Sequence, residues 1–479
     1  MFTRVRGLLA RLRGKKSLQY ILTLLFFLFL SRGLGMVRNI LLFSENFVSE
    51  VEGDVILAAT KVPDILVSLL IMGTISSSVL PVAARINQQE DADNRAVSLY
   101  LNLIYLSLLA VLGLFSVGVL IFTPSILRLT TSADLLELFA SEGLFERYVR
   151  MTRVLMLGPL AFATQGVFGI YLTLKERFAV YSWSGAIYNV GMIGGIIVAG
   201  LSPRLAYAPA WGMMLGAGVA SGLYLLEAYR AGYTPLNHTF FREIRRTWST
   251  TRAQFLATWA AFLPRIFLLN GLVVGNLLIN TIGDGWKGQV LAVDIALSIQ
   301  GVFFTLITAI STVFFPNIAK TFNNAKLSKR YFWARLFKFL QGVGGIAFLG
   351  MFATFLGAPV VLWVFSLFGR SSDLSDYVVL LTRLAALAIV FQSLVEILSK
   401  YIYVRERVWQ PAVISLSGLG VQAAFTYLLR YGFSVDAGVA VSLGIVVNFV
   451  VVFVYMFLVT VRDREHDLFP VEDLPVETT

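Results

Sequence analysis

Three cations stand where an apolar chain rarely carries them. Arg32 and Arg38 lie inside "LLFFLFLSRGLGMVRNILLF" (24–43), and Lys61 opens "KVPD" within the next apolar run. A helix rises ~1.5 Å per residue, so twenty such residues cover the ~30 Å hydrocarbon core of a bilayer. A charge placed there costs at least ~2.5–3.5 kcal/mol, which something must offset. Guanidinium forks bind phosphate or carboxylate bidentately, and a lysine adds a compact point charge. Such residues, facing a wetted chamber, avoid lipid and can face an anionic substrate. Arg32 and Arg38 are ~9 Å apart along a helix axis and ~120° from eclipsed, so they line neighbouring depths of a cavity and do not grip one atom together. Ser31 and Gly35 fall on the same side as Arg32, and Asn39 follows Arg38.

Other readings of these charges stay open on sequence alone. Arg38 can snorkel to the surface, and Lys61 can pair with Asp64 across Pro63, whose missing backbone donor favours a bend. Arg265 and Asp294 are further ionisable residues in apolar runs, and a pair between them across two helices is chemically attractive. Glu396 and Lys400 stand at i and i+4 and read as an ion pair.

The elements that must position these residues are membrane helices. Of the 479 residues 57% are hydrophobic and 14% charged, against a soluble norm of about 45–50% and about 25%; mean hydropathy is +0.77. About twelve spans can be drawn at roughly 17–25 residues each: 18–43, 54–84, 96–122, 148–173, 179–201, 205–229, 254–282, 288–317, 337–366, 376–402, 409–430 and 435–460. The second and eighth are long and hold internal Gly or Pro, so kinks or breaks are expected in both. The expected fold is an all-α polytopic membrane protein.

Lys and Arg gather in alternate connecting segments, at residues 4–16, 175–177, 242–252, 320–330 and 405–407, while the opposite segments hold acids such as Glu45, Glu50, Asp134, Glu142 and Asp373. By the positive-inside rule both termini are cytoplasmic. Arg147, Arg150 and Arg153 are the exception, on the side expected to be outside.

The two halves resemble each other. "TISSSVLPVAAR" (74–85) aligns without gaps to "AISTVFFPNIAK" (309–320), and "YLTLKERF" (171–178) to "YIYVRERV" (401–408). Both shifts lie near 230 residues, as a duplicated six-helix unit requires. Six is even, so the copies share one orientation and form two parallel-repeat lobes around a central cavity. The expected division is a basic segment 1–17, a first lobe 18–229, a cytoplasmic linker 230–253, a second lobe 254–460 and a cytoplasmic tail 461–479.

Several function classes drop out. There is no cysteine, and the two histidines, His238 and His466, lie in polar connecting segments, so no thiol chemistry, metal cluster or histidine-based catalytic site is expected. The net charge of +11 sits in topology-setting loops, with no base-reading motif, and nucleic acid is not an expected partner. The patches "MGTISSS" (72–78) and "GMIGG" (191–195) lack the strand context and trailing Lys of a phosphate-binding loop and read as helix-packing surfaces. No cofactor is expected.

With these residues in view, the chain resembles the MurJ/MviN lipid II flippase family of the multidrug/oligosaccharidyl-lipid/polysaccharide exporter superfamily. The likeness rests on "SRGLGMVRN" (31–39), "GDVILAATKVPDIL" (53–66), "GTISSSVLPVAAR" (73–85), "KERFAVYSWSGAIYNVGMI" (175–193) and "VDAGVAVSLGIVVNF" (435–449). It implies a monomeric transporter, not an enzyme, that moves the undecaprenyl-diphosphate-linked peptidoglycan precursor to the outer leaflet of the bacterial cytoplasmic membrane. Arg32, Arg38 and Lys61 match basic cavity positions and Asp54 an acidic residue opening the second helix. The resemblance thus assigns Arg32, Arg38 and Lys61, with Arg265 as a possible substitute from the second lobe, to the diphosphate. Ser31, Gly35, Asn39, Asp54, Pro63, Asp64 and Asp294 would line or gate the cavity.

This chain departs from the family pattern in places. Asn39 replaces an aspartate, Val67 a basic residue, and "AVDIALS" supplies Asp294 but has Leu297 where an arginine is expected. Fourteen helices are usual where twelve are drawn here. The eleventh span lacks the acidic and amide residues of a sodium site, so no coupling ion is assigned. The rival functions are a flippase for another polyprenyl-linked glycan, a transport-inactive scaffold, and a cation-coupled drug exporter, the last disfavoured by the basic set.

Overall fold

The computed structural model describes residues 16–44, 47–70, 74–89, 94–175, 177, 179–236, 240–266, 271–323, 329–366, 372–405, 407 and 409–468. Among these there is no strand. The first half comprises α1 (Lys16–Phe43), α2 (Glu50–Leu70), α3 (Thr74–Gln89), α4 (Asn94–Thr130), α5 (Ala133–Ser141), α6 (Phe145–Leu155), α7 (Gly158–Leu174), α8 (Ala179–Leu201) and α9 (Ala208–Arg230). The second comprises α10 (Phe240–Ile266), α11 (Gly271–Ile282), α12 (Gln289–Asn323), α13 (Lys329–Ser366), α14 (Ser372–Ala386), α15 (Ala388–Val404), α16 (Trp409–Tyr427) and α17 (Ala437–Leu468).

Eight stretches among the described residues are long and apolar enough to cross a membrane, with α6–α7 counting as one and α14–α15 as another. Adding α1, α2 with α3, α11 and α12 at the positions read from sequence keeps the total near twelve. The segment expected as a linker is helical from Phe240 onward, because α10 begins there and runs on into the seventh span.

The breaks differ from expectation in an instructive way. The described residues of the second span fall in α2 and α3, with 71–73 between them outside the described residues, and α2 runs unbroken through Pro63. The eighth is one unbroken helix, α12. Its Gly301 does not bend the chain; a Cβ there would stand 3.3 Å from Arg32 Nη1, so the glycine makes room for a guanidinium. The fourth and tenth spans break instead, at Met156–Leu157 and at Leu387. Those breaks are again about 230 residues apart, the repeat shift. In α4 the helix kinks at Phe122, ahead of Pro124. Proline frees the carbonyl four residues back, and the Thr123 hydroxyl donates to that Leu120 oxygen at 3.2 Å.

Helices α8 and α9 meet through glycine. A Cβ on Gly191 would fall 2.3 Å from the Gly212 carbonyl oxygen, and one on Gly195 would fall 2.3 Å from that of Ala208. The "GMIGG" patch is therefore a packing surface, where small residues let backbones approach.

Apolar packing is distributed unevenly between the ends. One large cluster joins both halves, from Leu42, Val51, Val55 and Leu135 to Ile282, Leu291, Leu374 and Val441. Toward the opposite end each half keeps its own, around Tyr100, Tyr171 and Tyr233 in one and Trp333, Leu398 and Tyr401 in the other.

Candidate functional site

Helices α1, α2, α11 and α12 bring the intramembrane charges together between the halves. Lys61 Nζ on α2 lies 2.8 Å from Asp294 Oδ1 on α12 and donates to Asn276 Oδ1 on α11 at 3.1 Å. Arg38 on α1 reaches the other oxygen of the same carboxylate, Nη2 to Oδ2, at 3.6 Å. Its guanidinium also donates to Asn39 Oδ1 from Nε at 3.0 Å and Nη2 at 2.8 Å. Lys61 is 4% exposed, Asp294 14% and Arg38 17%. Two cations of the first half thus share one acid of the second, which removes part of the desolvation penalty of each.

Arg32 continues the seam. Helix α1 runs antiparallel to α12, with Arg38 beside Asp294 and Arg32 beside Gly301. Arg32 is exposed and its guanidinium sits over the one small residue at that level of α12. Behind it, Asn189 on α8 donates to the Ser31 carbonyl at 3.0 Å, and a Cβ on Gly185 would strike Ser31 Oγ at 2.5 Å. Gly35 packs by the same Asn189. The Ser31–Gly35 face therefore seats α1 on α8 and turns the arginines toward α12.

Asp54 has a different task. It is fully buried, and its two oxygens accept from the backbone N–H groups of Gly288 (2.7 Å) and Leu291 (2.8 Å). A carboxylate there caps the N-terminus of α12, where orphan donors and the helix dipole favour negative charge. Nearby, the Ser132 amide donates to the Asn280 carbonyl at 2.6 Å and its hydroxyl to that of Gly283 at 2.9 Å, while Lys287 and Glu142 pair at 2.7 Å. These ties join the halves at one end. Two of the three exceptional arginines lie there too and are neutralised locally: Arg147 pairs with Glu52 and donates to the Ala206 carbonyl at 2.7 Å, and Arg150 pairs with Glu146. Burial pushes the Glu52 carboxyl up, but the Ser49 amide and Arg147 outweigh it and leave its pKa below the ordinary value.

Lys61 does not pair with Asp64. Pro63 is buried in α2, and Asp64 is exposed to a crevice of the first half. The Glu396–Lys400 pair forms at 2.9 Å, and Lys400 also donates to Ser311 on α12 at 2.8 Å. Arg265 lies in α10, but its side chain is outside the described residues; Asp294 is met by Arg38 and Lys61. Asn276 was not singled out from sequence. Its one signal is an amide, one of two with Asn280, in the largely apolar "GLVVGNLLINTI".

A family model described as "MurJ: Lipid II flippase MurJ" matches residues 43–464. Among solved structures, a lipid II flippase MurJ in an inward closed conformation superposes with TM-score 0.70 at 14% identity, covering 93% of this chain and 89% of that one. An inward-facing multidrug resistance MATE family transporter of the MOP superfamily gives 0.65 at 14% identity, over 91% and 95%. A MOP superfamily transporter from Pyrococcus furiosus, described as having a binding pocket of reverse polarity, gives 0.59 at 15% identity, over 95% and 98%. No curated protein matches the chain. With a family model over most of its length and this fold, the chain belongs to the MurJ lipid II flippase family and is a multi-pass membrane transporter, not an enzyme.

Proposed function

We propose that this protein flips lipid II, the undecaprenyl-diphosphate-linked peptidoglycan precursor, from the inner to the outer leaflet of the bacterial cytoplasmic membrane by alternating access, with both termini cytoplasmic. The observation that carries the reading is the meeting of Arg38 and Lys61 with Asp294 between the halves, with Arg32 further along the same α1–α12 seam. Asp294 acts as an internal counter-ion in the unloaded protein. A diphosphate carries more negative charge than one carboxylate and accepts bidentate hydrogen bonds from arginine. It displaces Asp294 from Arg38 and Lys61 and draws on Arg32, while the polyprenyl tail stays in lipid.

Displacement releases one of the ties between the halves, so loading and rocking are coupled. The end sealed by Asp54 and the shared apolar cluster is the outer one, and the starting state opens inward. A membrane potential negative inside favours outward movement of net negative charge by ~2.3 kcal/mol per charge per 100 mV. The 18–229 and 254–460 lobes are the rocking bodies, and Arg265 belongs to the diphosphate set. Gly35 and Ser31 hold α1 as it moves, and Asn39, Pro63 and Asp64 line the path.

The test is complementation of a strain depleted of this protein. Arg32→Ala, at equal protein level, should fail to restore growth and should accumulate lipid II inside. Normal growth would remove the proposed role of the arginine. Accumulation of a different polyprenyl-linked glycan on depletion would assign that glycan as the substrate instead.

A further inference from the structure

The first four turns of α10 present two unlike faces. One is fastened to the first half. Glu243 pairs with Arg95 on α4, the Thr258 and Tyr100 hydroxyls bond at 2.6 Å, and Phe240 is buried. Phe255 and Trp259 pack against the Tyr100–Tyr171–Tyr233 cluster. The chain entering the helix is held as well: the Thr234 amide donates to Ser98 Oγ at 3.0 Å, and Asn102 Nδ2 donates to the Thr234 carbonyl at 3.1 Å. Together these bonds fix the rotation of α10 about its axis.

The other face is left bare. Phe241, Arg245, Trp248 and Arg252 stand at i, i+4, i+7 and i+11, within ~60° of one another around the helix. All four are exposed, as is Arg242 beside them. Among the described residues none of Arg242, Arg245 and Arg252 pairs with an acid. Glu243 is the one acid in the α10 sequence, and Arg95 takes it.

The position of this stripe selects its partner. Helix α10 is continuous from Phe240 to Ile266 and enters the apolar run at 254, so Arg252 and Trp248 stand where a span leaves the hydrocarbon. They are ~6 Å apart along the axis, close to the ~5–8 Å of headgroup layer on each side of a bilayer. An indole favours that layer, and arginine stems extend through apolar surroundings to place the charge among phosphates. Guanidinium groups bind phosphate oxygens bidentately.

We propose that the Arg245–Trp248–Arg252 face of α10 is a docking surface for the headgroup of an anionic phospholipid. Arg245 and Arg252 reach the phosphate from either side, and Trp248 between them packs on the glycerol and upper acyl chain. Through Glu243–Arg95 and Thr258–Tyr100 the bound lipid holds the first half, and not the helix alone, at the interface. Only the choice of leaflet, the inner one, rests on the orientation proposed above. The surface itself uses none of Arg32, Arg38 or Lys61.

The experiment titrates the purified full chain in dodecyl maltoside with dioctanoyl phosphatidylglycerol, and in parallel with dioctanoyl phosphatidylcholine, read by native mass spectrometry. Phosphatidylglycerol should bind at least about tenfold more tightly. Arg245→Gln/Arg252→Gln should weaken it at least about tenfold, at about fivefold per arginine. Trp248→Leu, which keeps the charge, should weaken it about threefold. Arg330→Gln/Arg462→Gln removes two exposed arginines of the second half on the same expected side and should leave binding unchanged. Equal binding of the two lipids overturns the surface. So does equal affinity in a monodisperse Arg245→Gln/Arg252→Gln protein, or an equal loss in the Arg330/Arg462 variant. Loss in Arg32→Ala with retention in Arg245→Gln/Arg252→Gln places the lipid in the α1–α12 seam and also overturns it. Growth complementation reads the flippase proposal separately, so the two fail separately.

Discussion

Asp294 and Asp463 each receive two cations, and they sit in opposite circumstances. Asp294 takes Arg38 and Lys61 from the other half of the chain. Asp463 takes Arg405 (3.5 Å) and Arg407 (2.9 Å) from its own half, and also accepts the Tyr401 hydroxyl at 3.1 Å. Asp467 reinforces that second cluster by pairing with Arg405 and accepting Trp333 Nε1 at 3.2 Å. The chemistry is the same, but one set bridges the two halves and the other joins helices within one half.

The duplicated motif repeats the contrast at lower strength. In the first copy Tyr171 donates to the Ala231 carbonyl at 3.2 Å and Arg177 reaches Glu227 at 3.3 Å. Arg177 and its counterpart Arg407 are both 46% exposed, but the acid is 25% exposed at Glu227 and 8% at Asp463. The second half buries the acid more deeply at the equivalent place and adds the Tyr401 hydroxyl to it.

The sharpest break of this comparison is Asp463→Asn. Removing one partner of a buried ion cluster leaves charge uncompensated and costs about 3–5 kcal/mol. Thermal unfolding of the purified protein should show it as the largest loss of midpoint among these variants. The Tyr401→Phe and Tyr171→Phe pair comes next. A hydrogen bond to a carboxylate contributes about 1.5–3 kcal/mol and one to a neutral carbonyl about 1, so the second-half variant should melt lower. Asp294→Asn should act in the other sense on ligand binding. With the internal competitor gone, pyrophosphate should bind the purified protein about tenfold more tightly, a change of about 1.4 kcal/mol, read by calorimetric titration. Glu227→Gln should shift unfolding by no more than about 1 kcal/mol, as exposed pairs do.

The Glu52–Arg147 tie supplies the smallest effect, through pH. Because the Glu52 pKa is depressed on folding, its contribution is present above the ordinary carboxylate range and lost as pH falls through the lower folded value. Glu52→Gln should therefore flatten the acid limb of a stability–pH curve and leave neutral pH little changed.

Much of this was legible along the chain. Span count followed from apolar run length, and the Glu396–Lys400 pair from i,i+4 spacing, because both are local properties of a helix. The 230-residue shift exposed the duplication, and with it the matched Tyr171 and Tyr401. The break at Met156–Leu157 carried a residue signal in the Gly158–Pro159 that follows it, but its counterpart at Leu387, within "LAALAIV", carried none and is set by packing. Lys61 misled: Asp64 is its nearest acid in sequence, yet the helix turns the two toward different spaces.

The sequence by itself determined that this is a membrane protein of two related halves with cations buried in its spans, because hydropathy, spacing and charge placement are local and survive without coordinates. Only the tertiary structure decided what those cations meet. Asp294 lies 233 residues from Lys61, Asp54 finds its partners on the backbone of α12, and Arg32 finds space at Gly301. Such contacts arise where separate helices cross, and the order of residues along one chain does not encode the register of that crossing in any local pattern.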